Sequence, residues 1–203
     1  MSDDNTFATR QRLLKAASRQ FAERGFHGAS IAQIAGELDL TKQALLYHFK
    51  RKEDLYAEVL KNISDRLLTT MEKRREPGLD AKDQLERLVL GIYEGASANP
   101  VDTKVLMREI LDNQRKDVPE EERYLKVFLD SMVGMLDQID GLKELSFSEK
   151  LARIYSVISS IEYFVASSPV LVRFYGEEEF EKVRDAYRAD LQAQVRRMVN
   201  GAA

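Results

Sequence analysis

The chain has 203 residues, 44% of them apolar and 32% charged, and a formal net charge of −3. That is long enough for one large domain or two smaller ones with a sizeable core, and it excludes a disordered chain. There is no cysteine, which excludes disulfides, thiol nucleophiles and cysteine metal sites and fits a reducing cytoplasm.

The charge is unevenly placed. Residues 1–75 carry 14 Lys+Arg against 10 Asp+Glu, and the remainder carries 17 against 24. A basic N-terminal part joined to an acidic remainder points to a polyanionic partner at one end. No apolar run approaches the ~20 residues of a membrane helix, and the acidic start "MSDDNTF" does not read as a secretory signal. No membrane partner is expected.

Glycine and proline are scarce, and apolar residues recur at three- and four-residue steps, so the chain reads as all-α. The first predicted helix runs from about Thr6 to Arg24, with Leu13, Leu14, Ala17, Phe21 and Ala22 inward; Gly25 ends it as a left-handed cap. Ser30 starts a second helix that ends near Leu38, and Ser30 with Gln33 matches a capping box. Asp39 and Leu40 form a tight turn. Thr41 caps a third helix that turns Leu45 and Phe49 inward. A fourth runs from about Lys52 to Arg75, with Glu53 and Asp54 at the positive end of its dipole, and "EPGLD" ends it. Five more follow at roughly 81–97, 101–115, 119–139, 148–167 and 178–199, separated by "NP", "DVP", "DGLKELSF" and "SSPVLVRFYGE". The total is about nine.

Residues 26–49 thus read as a helix-turn-helix, the second helix of which enters a DNA major groove. The stretch "TKQALLYHFKRKEDL" places Lys42, Lys50, Arg51 and Lys52 around it, where cations displace counterions from a polyanion. Thr41, Lys42, Gln43 and Tyr47 form the groove-facing set. Gln43 suits adenine N6 and N7, and Lys42 can donate to guanine. Ser30, His48 and Lys52 are phosphate candidates, with Arg10 near the first helix start as a further one. Ser30 can equally do no more than cap its helix, and His48 can be a packed, hydrogen-bonded histidine. Neither histidine reads as a metal ligand, because the other is His27 and no carboxylate pair lies at ligand spacing.

The block "RGFHGASIAQIAGELDLTKQALLYHFKRKEDL" resembles the DNA-binding segment of TetR-type bacterial transcriptional regulators. The matching residues are Gly25 and Phe26, Ile31-Ala32, Ile34-Ala35, Leu40-Thr41, Leu45, His48-Phe49, and Lys52-Glu53 with Leu55. Four positions depart from the family pattern. Asp39 stands where the family usually has a turn glycine, and Gln43 where it often has glycine. Leu46 stands where it usually has a backbone-touching tyrosine, which Tyr47 follows. Arg51 replaces a usual serine cap. The resemblance implies an N-terminal helix-turn-helix domain, a helical remainder, a homodimer and no enzyme activity.

The segment "LARIYSVISSIEYFVASS" is apolar nearly all round, so two of its faces must be buried. The last helix carries Phe180, Val183, Tyr187, Leu191, Val195 and Met198 in helical spacing. Two such helices per subunit make a four-helix bundle across a two-fold axis. Tyr163, Phe164, Tyr187 and Leu191 are the seam candidates. The fifth to seventh helices carry Tyr93, Met107, Tyr124, Phe128, Met132 and Met135, which can line a cavity or fill a solid core. Tyr93, Met107, Phe128 and Met132, with Glu162 from the apolar run, form the candidate effector pocket. Glu162 can serve a cationic ligand group, pair with an arginine, or lie at the rim of the seam.

No glycine-rich phosphate loop or Ser-His arrangement is present, so no catalytic residue, metal or cofactor is expected. The reading is a cytoplasmic, homodimeric regulator with a DNA-binding domain over 1–50 and a ligand-binding and dimerisation domain over 51–203. It binds a double-stranded, pseudo-palindromic operator, most readily as a repressor, and a small-molecule effector releases it. The alternative keeps the fold but makes DNA binding constitutive or controlled by a protein partner.

Overall fold

The computed structural model describes residues 2–112 and 124–200, and among these it contains helices and no strand. The helices are α1 (Ser2–Gly28), α2 (Ile31–Gly36), α3 (Lys42–His48), α4 (Lys52–Arg74), α5 (Ala81–Ala98), α6 (Pro100–Asp112), α7 (Tyr124–Leu136), α8 (Phe147–Tyr175) and α9 (Glu177–Asn200). The expected end of the sixth helix at 115 and start of the seventh at 119 lie outside the described residues. The chain forms two compact units, one of Met1–Ile63 with Val101–Tyr124, the other of Ser64–Pro100 with Leu125–Ala203. The line between them falls inside α4, and α6 belongs with the N-terminal unit.

The first unit buries Leu13, Leu14, Ala17 and Phe21 of α1, Ile34 and Ala35 of α2, and Leu45 of α3. Phe49, Leu55, Tyr56, Val59, Ile63 and, from α6, Val105 and Leu106 complete this core. Phe21 meets Tyr56 edge-on at 4.8 Å, a favoured aromatic geometry. Gly25 interrupts α1 where the first helix was expected to end. It breaks the helix at φ 67°, ψ 179°, a conformation that needs the absence of a Cβ, and one more turn follows to Gly28. α6 lies close to this break. A Cβ on Gly25 would stand 2.9 Å from an Asp112 carboxylate oxygen, and the Arg108 guanidinium donates to the Glu23 carbonyl at 3.4 Å.

The expected Ser30–Gln33 capping box is not formed. Ser30 has the extended backbone of a cap, but its side chain makes no cap hydrogen bond, and the Gln33 carboxamide oxygen instead accepts from Arg24 at 3.3 Å. A true capping box occurs at α8, where the Glu149 N–H donates to the Ser146 hydroxyl and the Ser146 N–H donates back to the Glu149 carboxylate.

The second unit packs α5, α7, α8 and α9 around Leu85, Leu88, Phe128, Met132, Ile154, Ile161, Leu191 and Val195. Leu67 and Met71, on the later half of α4, pack against the same core. Lys150 is buried in the first turn of α8 and donates to Asp137 and to the Lys143 carbonyl, closing the segment between α7 and α8. α9 is tied to α5 by Glu86, which accepts a two-pronged bond from Arg196 at 2.6 and 3.0 Å and another from Gln192. A forked pair of this kind fixes orientation as well as contact.

α8 is the largest departure from expectation. It was expected to stop near 167, yet it runs through Pro169 to Tyr175. Proline removes a single N–H from the ladder, and the neighbouring Ser167 and Ser168 hydroxyls donate back to the Phe164 carbonyl at 3.2 and 2.9 Å. The true stop is Gly176, at φ 83°, the N–H of which bonds the Val172 carbonyl at 2.8 Å. At this length α8 is long and apolar enough to cross a membrane, with mean hydropathy 1.3 over its most apolar stretch, contrary to the expectation from the shorter run. Ile154, Val157, Ile161, Phe164 and Val165 place one of its faces in the core of the unit.

Arg196, with Gln192, holds the Glu86 carboxyl below the usual carboxylate range, and Arg19, with Gln20, does the same for Glu37. A carboxylate with a depressed folded-state pKa stabilises the fold above its unfolded value, and that stabilisation is lost as pH falls through the folded pKa. The thermal midpoint is therefore expected to fall as pH drops below the ordinary glutamate value of 4.5. Glu86→Gln should have a lower midpoint at pH 7 and a shallower acid decline, readable by circular dichroism.

Candidate nucleic-acid interface

α3 is only seven residues long, roughly 10 Å, and is too short to hold itself together. Leu45 and Phe49 anchor it by burial. Gln43 and Tyr47 stand roughly 160° around the helix from that anchored side, one turn apart. Both are exposed, and Tyr47, at 82%, is the most exposed large apolar side chain among the described residues. Its ring meets His48 edge-on at 5.5 Å. Lys42 and Lys50 are exposed beside them. The helix thus turns two anchors inward and an amide, a ring and two cations outward.

The entry to α3 is built from the turn. Glu37, after α2, accepts from Arg19 at 2.9 Å and from Gln20, both on α1. Asp39 then adopts φ 58°, the left-handed conformation that aspartate tolerates, and the Leu40 N–H closes on the Ala35 carbonyl at 3.0 Å. Thr41 caps α3, its hydroxyl oxygen accepting from the Ala44 N–H at 3.1 Å. That bond uses a lone pair, so the hydroxyl hydrogen stays available to a phosphate oxygen.

The other phosphate candidates are placed differently. Ser30 is half-buried before α2, and its hydroxyl is not used by the helix. His48 is half-buried at the end of α3. Lys52 opens α4 with its ammonium over the Phe26 ring at 4.6 Å and 3.5 Å from the His27 carbonyl, and burial draws its pKa down. This lysine holds the α1 end against α4. Arg10 is held too, its guanidinium over Phe49 at 4.8 Å and 3.1 Å from Glu58. Arg51 donates to Asp54 at 2.8 Å. The exposed cations beside this face are therefore Lys42 on α3 and Lys50 just beyond its end.

Residues 13–59, which enclose this arrangement, match the family described as bacterial regulatory proteins, tetR family. That stretch of the chain therefore carries the TetR-family DNA-binding segment. It is 33% identical over 85 residues to the HTH-type transcriptional regulator YdgC of Bacillus subtilis (strain 168), covering 41% of this chain and 44% of YdgC. The chain thus spans less than half the length of that relative. Against the HTH-type transcriptional repressor KstR2 of Rhodococcus jostii (strain RHA1) it is 27% identical over 172 residues, 82% of this chain and 79% of the repressor. Its fold is similar to the crystal structure of the transcriptional regulator FadR from Bacillus subtilis in complex with stearoyl-CoA, with TM-score 0.68 and 18% identity over 94% of this chain and 96% of that one. The matched family and the named relatives are DNA-binding transcriptional regulators.

Elsewhere in the chain the candidate residues are not gathered as expected. Tyr93, Phe128 and Met132 are all buried in the core of the second unit, and Glu162 is half-buried in the same unit. Met107 sits on α6, in the other unit. Burial raises the Tyr93 pKa. Of the seam candidates, Phe164 and Leu191 are buried inside their own chain, at 9% and 1% exposure. Tyr187 stacks on Phe164 at 3.8 Å and shares a 2.8 Å hydrogen bond with the Ser160 hydroxyl. Only Tyr163, 70% exposed, faces outward.

What the sequence reading missed is the company Tyr163 keeps. Ala152, Tyr155, Ser159, Val170 and Phe174 are exposed on the same side of α8, and none carries a charge. Beside this face an open groove of about 370 Å³ lies between α8 and α9, lined by Ser156, Val157, Gln194 and Met198 among others. The signal was present as Ser and Ala recurring between the aromatics at helical spacing.

The turn at Asp39 and the cap at Thr41 generate a stability test. Asp39→Gly should be neutral or stabilising by up to about 1 kcal/mol, and Asp39→Val destabilising by about 1–2 kcal/mol, because a β-branched residue resists the left-handed region. Thr41→Ala should lower stability by about 1 kcal/mol. Urea denaturation reads all three.

Proposed function

We propose that the chain acts as a homodimer that binds a pseudo-palindromic, double-stranded operator and is released from it by a small-molecule effector, most readily as a repressor in the cytoplasm. Residues 1–50 supply DNA binding, and 51–203 supply effector binding and dimerisation. The observation that carries the reading is the outward face of α3, where Gln43, Tyr47, Lys42 and Lys50 are exposed opposite two buried anchors. Two such helices one DNA turn apart, ~34–36 Å, read successive major grooves. Repression is supported by the name of the Rhodococcus jostii relative, and small-molecule control by the stearoyl-CoA complex of the FadR structure. The dimer is supported by the largely apolar exposed face of α8 around Tyr155, Tyr163, Val170 and Phe174.

Gln43 reads bases in this scheme, Thr41 and Ser30 position phosphates, and Lys42 and Lys50 supply counterion release. Affinity for duplex DNA should fall linearly in log–log salt plots with a slope near −0.9 per neutralised phosphate, and Lys42→Ala should make it shallower by about 1. Gln43→Ala should cost ~1–3 kcal/mol on a duplex selected from a randomised library and relax preference at one base pair per half-site. A loss spread evenly over all sequences would make Gln43 a positioning residue.

The seam is tested separately. Tyr163→Arg places a charge on the α8 face twice per dimer and should give folded monomers in sedimentation, with weakened binding to the selected duplex. Leu191→Arg should instead unfold the chain, since Leu191 is buried in its own core. A dimeric Tyr163→Arg protein would move the seam away from α8.

A further inference from the structure

We propose that Tyr47 is a specificity-determining residue, and that its ring reads the C5 methyl group of a thymine in the major groove. The inference rests on the reading of the chain as a DNA-binding regulator and deepens it. In that reading Gln43 meets a base edge, while Lys42, Lys50, Thr41 and Ser30 face phosphates. Tyr47 is exposed on the same side of α3, and neither duty suits it.

The ring has no part in the core. Leu45 and Phe49, at 0% and 3% exposure, do the anchoring, and Tyr47 stands 82% exposed between them in the chain. Among the described residues its ring contact is with His48, T-shaped at 5.5 Å. His48 is half-buried, so the ring rests against a neighbour that is itself held. A tyrosine has only two side-chain torsions, and a rested ring loses little freedom when a ligand meets it. The fold thus keeps a large apolar surface in water, aimed outward and already oriented.

Its place on the helix decides what it can reach. Tyr47 follows Gln43 by four residues, which is roughly 40° around the axis and ~6 Å along it. Stacked base pairs are ~3.4 Å apart, so when Gln43 meets one base edge the ring lies over a neighbouring pair. The chemistry then selects the base. In the major groove guanine, adenine and cytosine present hydrogen-bond donors and acceptors, and thymine alone adds an apolar group, the methyl. A phenol ring has a single hydroxyl at its tip and lacks the two-pronged donor set of an amide or a guanidinium. It also carries no charge, so it releases no counterion, and the exposed Lys42 and Lys50 beside it are the stronger phosphate ligands. What the ring does supply is a surface that shields a methyl from water.

The test uses the full chain as wild type, Tyr47→Phe and Tyr47→Ala, with a duplex that the wild type selects from a randomised library. Each thymine of one half-site is replaced in turn by deoxyuridine, which lacks only the methyl. One replacement should weaken the wild type about fourfold, the value of one methyl removed from water, and should leave Tyr47→Ala unchanged. Tyr47→Phe should keep the wild-type affinity to within about twofold and keep the uracil penalty, because the ring and not the hydroxyl makes the contact. At the same position 5-methylcytosine should be bound more tightly than cytosine by the wild type, and no more tightly by Tyr47→Ala. A selected half-site without thymine would overturn the proposal, as would a uracil penalty of equal size in wild type and Tyr47→Ala. Equal losses in Tyr47→Phe and Tyr47→Ala would also overturn it and make the hydroxyl the contact. These three outcomes leave the DNA-binding reading standing, whereas a wild type that selects no duplex overturns both.

Discussion

The burial of Leu45 and Phe49 is the constraint on which the rest of the DNA-binding unit depends. A seven-residue helix is far below the length at which a helix persists in water, and its outer face must stay bare to meet DNA. All of its support therefore comes from one side. The turn at Asp39, the Thr41 cap and the Glu37 contacts to α1 each fix one end of this short segment relative to its anchors. Arg10 and Lys52 are spent in the same way. Each lays a cation over an aromatic ring, Phe49 and Phe26, and binds a second group besides. A cation seated on a ring and bonded to a carboxylate or carbonyl is a weak candidate for a mobile phosphate contact and a strong one for holding an angle.

The second unit solves a different problem. α8 must serve two environments along one length. Its Ile154, Ile161 and Val165 side fills the core of the unit, and its Tyr155, Tyr163 and Phe174 side is exposed, with Arg173 over the Phe174 ring as its cation. The first face contributes to the stability of the unit, and the second is the surface on which the proposed dimer rests. The charged contacts of this unit concentrate where α5 meets α9 and the end of α4, at Glu86 and Glu94, and they orient helices that apolar packing alone leaves free to slide.

Much of the fold was legible because helical periodicity and caps are local. The all-α class, the order of the helices, the inward residues of α1 and α3, the left-handed Asp39 and the Thr41 cap all follow from neighbours within four residues, which is the range over which a helix makes its bonds. The misread boundaries have two causes. Ser30 and Gln33 have the spacing of a capping box, but Arg24, nine residues upstream of Gln33, takes the glutamine. Pro169 has the appearance of a stop, but back-bonded serines and packing against the unit core carry α8 to Gly176. Arg24 is a competitor from outside the local window, whereas the serine back-bonds at Pro169 are local and were outweighed in the reading by the proline itself.

The sequence by itself determined the DNA-binding motif and the chemistry it presents, because residue types at fixed spacing on a short helix decide which groups share a face. It determined neither which apolar residues serve the chain's own core nor which face a second surface. Phe164 and Tyr163 on α8 and Leu191 on α9 all read as seam residues, yet Phe164 and Leu191 are buried and Tyr163 is exposed. Periodicity marks a face as apolar without saying what will cover it. Likewise, no spacing rule links Arg74 and Arg188 to Glu94, which accepts from both although the three lie on three helices. Only the tertiary structure decided these, because a helix face acquires its partner from long-range packing.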